Sequence, residues 1–345
     1  MSAPLVRLAV VPPRRLAVAR ILAVLATLAT VGIVLALSGR DPLLLGRLIL
    51  RSTVGSRFGL EDLALFMTPL LLTGASVWNG VRVNLWNIGA EGQFYAGATA
   101  ASAIGLFVPL PGALMLPVMA LAGVLAGAAW IALPAVARAW LSVSEIITTL
   151  LLNFVASLLV YYLATGPWAD HVTNALASTE RLRILIPAVW GAVHWGFVVA
   201  LVVVVVLGVV LARSRFGYET AICGANPDAA RYAGIAAAPL LCTVMLVSGG
   251  LAGLAGMIEV AGTVHRLQGG IANNYGYLGI VVALLARGSA VALIPAAALM
   301  ALILDTGIVL QTAQISASAV LAITGGLMAA IAVADELAAY VRVKL

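Results

Sequence analysis

The stretch Asn84-Leu-Trp-Asn87-Ile-Gly89-Ala-Glu91-Gly92-Gln93 sets four polar side chains and two glycines inside a chain that is otherwise almost continuously apolar. A carboxylate at the centre of a bilayer costs about 2.5–3.5 kcal/mol on insertion scales, so Glu91 must face a bundle interior, a cavity or a partner. Asn84, Asn87 and Gln93 carry amides able to bond either exposed backbone or a polar solute. The same residues also fit the polar start of a helix, with Asn87 as its cap and Glu91 in the first turn, where the dipole favours negative charge. The two readings are compatible. Bond-breaking chemistry has no comparable support, because a nucleophile and its base need a recognisable constellation and the chain has no G-x-S-x-G, H-E-x-x-H or paired-Asp motif.

Two further clusters share this character. Ser142-Val-Ser-Glu145 has the spacing of a capping box, and Thr149 and Asn153 follow Glu145 at intervals that put all three on one helix face. Such a buried polar stripe either lines a path or holds helices together. Near the other end, Asn274-Tyr-Gly276-Tyr-Leu-Gly279 repeats the N-x-G-x-x-G spacing of Asn87, Gly89 and Gly92. Paired glycine-interrupted segments in two halves of a membrane chain point to a solute path near the midplane. His171, His194 and His265 stand alone, outside any metal-ligand spacing, and Cys223 and Cys242 are too few for a disulfide framework. They are expected to be structural, and no metal site is expected.

The elements that must position these residues follow from composition. Of 345 residues 63% are hydrophobic and 9% charged, with a mean hydropathy of +1.13, where soluble domains carry about 25% charged residues. The chain is therefore expected to be all-α, a polytopic membrane helix bundle of about eight to ten spans with broken or re-entrant segments. Spans are expected near 16–37, 63–81, 84–108, 113–137, 145–165, 188–211, 238–258, 275–287, 289–309 and 317–334. The segment at 275–287 is too short to cross alone, which favours a broken helix packed inside protein. Residues 1–15 form a cytoplasmic tail and 16–345 a single transmembrane domain on this reading. The net charge of +6 comes from arginines in loops and termini, which orient helices and do not indicate nucleic-acid binding. Arg82, Arg138, Arg213, Arg215, Arg231, Arg287, Arg342 and Lys344 fall on the cytoplasmic side, whereas Arg40, Arg47, Arg51 and Arg57 lie on the expected outside, against the rule. Gly123 and Gly127, and the run Ser248 to Gly256, fit close helix packing.

The cytoplasmic segment at about 213–237 contains a compact signal. Asn226 suits a cap, Pro227 the first helical position, Asp228 the first turn and Gly234 the stop. A helix of about two turns is marginal by itself, so it is expected to dock, either on the bundle ends or on a soluble partner. Lys344 is the sole lysine, which leaves no P-loop, whose lysine must reach the phosphates from a glycine-rich turn. Any ATP-Mg is therefore expected on partner subunits, with no cofactor in this chain and no enzymatic activity of its own.

Together the blocks Asn87 to Gln93, Glu145 to Asn153, Gly224-Ala-Asn226-Pro227-Asp228-Ala-Ala-Arg231-Tyr-Ala-Gly234-Ile and Gly276 to Arg287 resemble permease subunits of ABC importers in the branched-chain amino acid and simple sugar group. They are most similar to the nucleoside permeases that work with lipoprotein receptors. The resemblance covers most of the chain after about residue 60. It implies a type II importer fold in the bacterial plasma membrane, with two ABC ATPase subunits, a second permease (a homo- or heterodimer) and an extracytoplasmic solute-binding protein as partners. It further implies that Asn84, Asn87, Glu91, Gln93, Asn153 and Asn274 border the path of a nucleoside or simple sugar. Gly224, Asn226, Pro227, Asp228, Arg231 and Gly234 would form the ATPase-coupling helix. A branched-chain amino acid permease stays open on the same scaffold. So does an ion-coupled transporter using Glu91, Glu259 and Asp305.

Overall fold

The computed structural model describes residues 5–7, 12–170, 177–286 and 288–342. His171, Arg287, Lys344 and most of the expected N-terminal tail lie outside the described residues. In chain order the elements are β1 (Leu5–Arg7), α1 (Pro13–Leu37), α2 (Pro42–Ser52), α3 (Arg57–Val81), α4 (Ala90–Phe107), α5 (Gly112–Leu141), α6 (Glu145–Thr165), β2 (Ala188–Trp190) and β3 (Val193–His194). Then follow α7 (Trp195–Arg213), α8 (Arg215–Ala225), α9 (Pro227–Tyr232), α10 (Ala237–Ile258) running into a π-helical turn at Glu259–Val264, α11 (Tyr275–Ala286), α12 (Leu293–Thr312), α13 (Ala317–Ala338) and β4 (Tyr340–Arg342).

Among the described residues, eight helices are long and apolar enough to cross a membrane: α1, α3, α5, α6, α7, α10 with its π-helical turn, α12 and α13. The two expected spans outside this set are α4 and α11. They begin at the two glycine-interrupted segments. The span expected from residue 84 starts only at Ala90, and the one expected from 188 starts at Trp195 after the β2–β3 hairpin. Three helical elements escaped the sequence reading, namely α2, α8 and the π-helical turn, as did the short strands β1–β4, because none has a run of apolar residues long enough to register as a span.

The chain divides into two compact units, residues 61–301 and residues 1–60 with 302–345. In the larger unit α4, α5 and α10 pack on glycine faces. A Cβ at Gly97 would fall 2.1 Å from the carbonyl oxygen of Gly253, and one at Gly127 would fall 2.2 Å from that of Gly249. Only hydrogen in place of a side chain allows these backbones to touch, which replaces the weak hydrophobic drive of a lipid environment with van der Waals contact. Eleven of the eighteen residues of α4 are buried, so this helix is surrounded by protein and tolerates Glu91 and Gln93 in its first turn.

In the smaller unit α1 packs along α13, and Arg20 meets Asp335 in a bidentate pair at 2.7 and 2.8 Å. The α1 hydroxyls of Thr27 and Thr30 donate to the carbonyls four residues earlier, each at 2.9 Å, leaving no unmet donor toward lipid. β1 and β4 pair antiparallel, from Leu5 opposite Arg342 to Arg7 opposite Tyr340.

Two expected caps are corrected. The residue preceding α4 is Gly89, with no side-chain cap; Asn87 turns instead toward Gln93. Ser142 is the left-handed residue that ends α5, at φ 54, and α6 starts after Ser144 with no side-chain cap. Glu145 therefore makes no capping box. Its carboxylate lies 3.0 Å from Arg138 Nε and accepts from the Trp86 backbone N–H at 3.3 Å.

Candidate functional site

The polar block forms where three chain segments meet at the start of α4. Asn87 and Gln93 exchange reciprocal amide bonds, each at 2.8 Å, and Asn87 also donates to Ser76 Oγ at 3.0 Å. Asn153, eight residues into α6, accepts from the Gly92 N–H at 2.8 Å and donates to the Ile88 carbonyl at 2.9 Å and the Tyr277 hydroxyl at 3.1 Å. Glu145, Thr149 and Asn153 are all buried on one face of α6, as their spacing predicts. The stripe ties α6 to the irregular segment before α4.

Glu91 connects segments 185 positions apart in the sequence. One carboxylate oxygen accepts from the Gly276 N–H at 2.7 Å and the other from the Asn274 N–H at 3.2 Å. These are donors at the start of α11, which have no partner within their own helix, so a charge-assisted acceptor from α4 satisfies them. A Cβ at Gly276 would fall 2.2 Å from the Glu91 nitrogen. The two N-x-G-x-x-G segments thus meet directly, helix start against helix start. A Cβ at Gly279 would fall 2.8 Å from the Thr73 carbonyl carbon, and Thr73 Oγ1 lies 3.0 Å from the Tyr275 carbonyl oxygen.

Asn87, Glu91, Gln93 and Asn153 are therefore buried and engaged with one another and with neighbouring backbone. Asn274 joins them through its backbone only; it is exposed and left-handed at φ 62, next to Asn273 at φ 43. Asn273 and Asn274 are exposed at the edge of the buried knot, and the half-buried Tyr277 keeps its hydroxyl on Asn153. Asn273 and Tyr277 escaped the sequence reading because their companion Asn274 carried the motif. Asn84 stands apart from the knot. It is exposed, left-handed at φ 56, and donates to the Gly224 carbonyl at 2.7 Å.

That bond leads to the segment that holds α8 and α9. Asn226 caps α9 by accepting from the N–H groups of Asp228 at 3.0 Å and Ala229 at 3.1 Å, Pro227 holds the first position, and Gly234 turns the chain at φ 76. Asp228 and Arg231 pair at 2.5 Å on the exposed side, where screening leaves such a pair little stabilising weight. Ala230 is the buried anchor of α9, packed with Cys223 and Leu240, while Tyr232 is 98% exposed. A Cβ at Gly224 would fall 1.9 Å from the Arg82 carbonyl oxygen. The end of α8 therefore rests on the backbone that enters the polar block.

Burial sets the protonation of nearby groups outside the spans. It pushes the Cys223 thiol up. It lowers the Arg82 guanidinium, which lies 5.3 Å from the Trp78 ring centroid. His194, the cap of α7, is held at about 4, first by burial and then by the neighbouring His265. Its Nδ1 accepts from the Gly196 N–H at 3.1 Å, and Nε2 lies 3.2 Å from Thr263 Oγ1. It is structural, as its isolation in sequence predicts. No group of three or more His, Cys, Asp or Glu side chains able to hold a metal occurs among the described residues.

The family model for the permease component of branched-chain amino acid transport systems matches residues 59–332. A glucose ABC transporter permease protein of Haloferax volcanii, TsgB13, is 38% identical over 284 residues, covering 79% of this chain and 75% of that one. The guanosine ABC transporter permease protein NupP of Bacillus subtilis is 32% identical over 240 residues, covering 68% and 69%. The nucleoside ABC transporter permease protein NupB of Lactococcus lactis is 29% identical over 270 residues, covering 74% of each chain. No solved structure matches. With most of its length matched, eight of its helices long and apolar enough to span a membrane, and the starts of α4 and α11 meeting at Glu91, the chain belongs to the permease-component family of ABC transport systems.

Proposed function

We propose that this chain is the translocating subunit of an ATP-driven importer of nucleosides or simple sugars in the plasma membrane. It works with two ATPase subunits, a second permease and an extracytoplasmic solute-binding protein. ATP-Mg is bound and hydrolysed by the ATPase partners. The solute class rests on the relatives named for glucose, guanosine and nucleosides, which favour it over a branched-chain amino acid.

The observation that carries the mechanism is the contact of Gly224 with Arg82 and Asn84. It joins α8, which leads into the exposed helix α9, to the segment entering the polar block, through the close approach of Gly224 to the Arg82 backbone and the bond from the Asn84 side-chain amide. When the ATPase subunits close on ATP they move α9; α8 transmits that displacement to residues 82–89, and the starts of α4 and α11 shift together because Glu91 of α4 bonds the backbone at the start of α11. Asn273, Asn274 and Tyr277, beside that junction, are the side chains placed to meet the solute's hydroxyl and amide groups. An ion-coupled transporter is disfavoured, since the carboxylate of Glu91 is occupied by backbone N–H groups.

The test is reconstitution of the complete importer in liposomes. Asp228→Ala with Arg231→Ala is expected to leave assembly of the permease intact and to lower transport-linked ATP hydrolysis. Unchanged coupling would remove α9 from the mechanism. Competition of labelled uptake by nucleosides, pentoses and branched-chain amino acids identifies the solute class.

A further inference from the structure

The smaller unit holds an arrangement that transport does not use. An apolar groove of about 660 Å³ runs along α1 and α13, lined by Thr30, Val34, Leu35, Ala322, Gly326 and neighbours, with Arg40 at one end. α1 has none of its central span buried, so the groove opens sideways into the bilayer. In that setting the surrounding solvent is acyl chain.

Beside the Arg40 end lies α2. Its Leu45 and Ile49 pack inward with Leu35, Ile315, Ala319 and Ile323, residues that also line the groove. Its opposite face is exposed and carries Arg47 and Arg51 one turn apart, flanked by exposed Leu43, Leu44, Leu48 and Leu50. α2 contains no acidic side chain, and Asp41 beside it accepts from the N–H groups of Leu43 and Leu44 as the helix cap. A helix with cations at the centre of its outer face and leucines on both flanks suits the headgroup plane of a membrane. Arg40 donates to the carbonyls of Ala313 at 3.0 Å and Gln314 at 3.1 Å. Two of its five N–H donors are thereby used, and the others remain for an anion.

We propose that the α1–α13 groove holds an acyl chain of an anionic phospholipid whose phosphate is met by Arg40, with α2 lying in the headgroup layer beside it. The arginines at 40, 47 and 51 then sit on the outer side as lipid ligands, and their breach of the positive-inside pattern has a physical cause. The continuity of an apolar groove with a cationic end selects a lipid over a soluble anion, which would leave the groove unfilled.

The full-length protein, purified in mild detergent and exposed to an equal mixture of phosphatidylglycerol and phosphatidylcholine, is analysed by native mass spectrometry. Wild type is expected to retain phosphatidylglycerol preferentially, and Arg40→Gln to reduce that preference about fivefold. Gly326→Leu, at a position where a Cβ meets nothing within 4 Å, is expected to fold normally and to lower retention of both lipids by filling the groove. Retention unchanged in both variants overturns the proposal. A Gly326→Cys variant that crosslinks to another protein chain in intact membranes also overturns it, because the groove is then a subunit interface.

Discussion

The polar block at Asn87–Gln93 and the short helix α9 look alike as sequence, each a polar interruption with glycine, asparagine and one acid. In the fold they are opposites. The block is buried: its side chains bond one another and the backbone at the start of α11, and its own backbone bonds the Asn153 side chain of α6. α9 buries Ala230 alone and presents Asp228, Arg231 and Tyr232 outward. A polar group inside a membrane bundle carries a desolvation cost unless it is bonded, so the block's residues are consumed in bonding. A group at the surface carries no such cost and stays available to a partner.

This contrast is broken or sharpened by substitutions ranked by their effect on permease stability. Gly276→Val should have the largest effect, because even its Cβ would overlap the Glu91 backbone; no folded permease is expected by size-exclusion chromatography. A stable variant would mean that the two helix starts are not locked together. Glu91→Gln keeps one acceptor oxygen and loses the charge, so about 1–2 kcal/mol of stability should go, seen as a lower midpoint in thermal unfolding, with reduced uptake. Wild-type stability with altered uptake would instead assign Glu91 to the solute.

Asn226→Ala removes the α9 cap, worth about 1 kcal/mol. Because α9 is short and peripheral the loss should be local, visible as faster amide hydrogen exchange at 227–232 and weaker ATPase coupling. Tyr232→Ala should leave the unfolding midpoint unchanged, as a fully exposed side chain makes no packing contact, and should weaken ATPase docking about tenfold. A measurable loss of stability there would show that α9 packs on the bundle rather than on a partner.

Much of the fold was legible in the sequence for a specific reason. Eight of the ten expected spans match helices long and apolar enough to cross, because a bilayer demands long apolar runs, and such runs are visible without any tertiary knowledge. The α9 cap was equally legible, since Asn226, Pro227 and Gly234 act on their immediate neighbours. The capping assignments at Asn87 and Ser142 were not. In each case a residue suited to a local bond found a stronger partner, Gln93 for Asn87, or a different backbone conformation, as at Ser142. α2 was hidden because an eleven-residue amphipathic helix has too few apolar residues in a row.

By itself the sequence determined that the chain crosses a membrane many times, that its one lysine is Lys344, and that a capped short helix follows Asn226, since each depends on composition or on residues within a few positions. Only the tertiary structure decided that Glu91 bonds the backbone at Asn274 and Gly276, and that Asn84 reaches Gly224. Those bonds join residues more than a hundred positions apart. A side chain's donors and acceptors can be read from its type, but which distant backbone group needs them is set by how the helices pack.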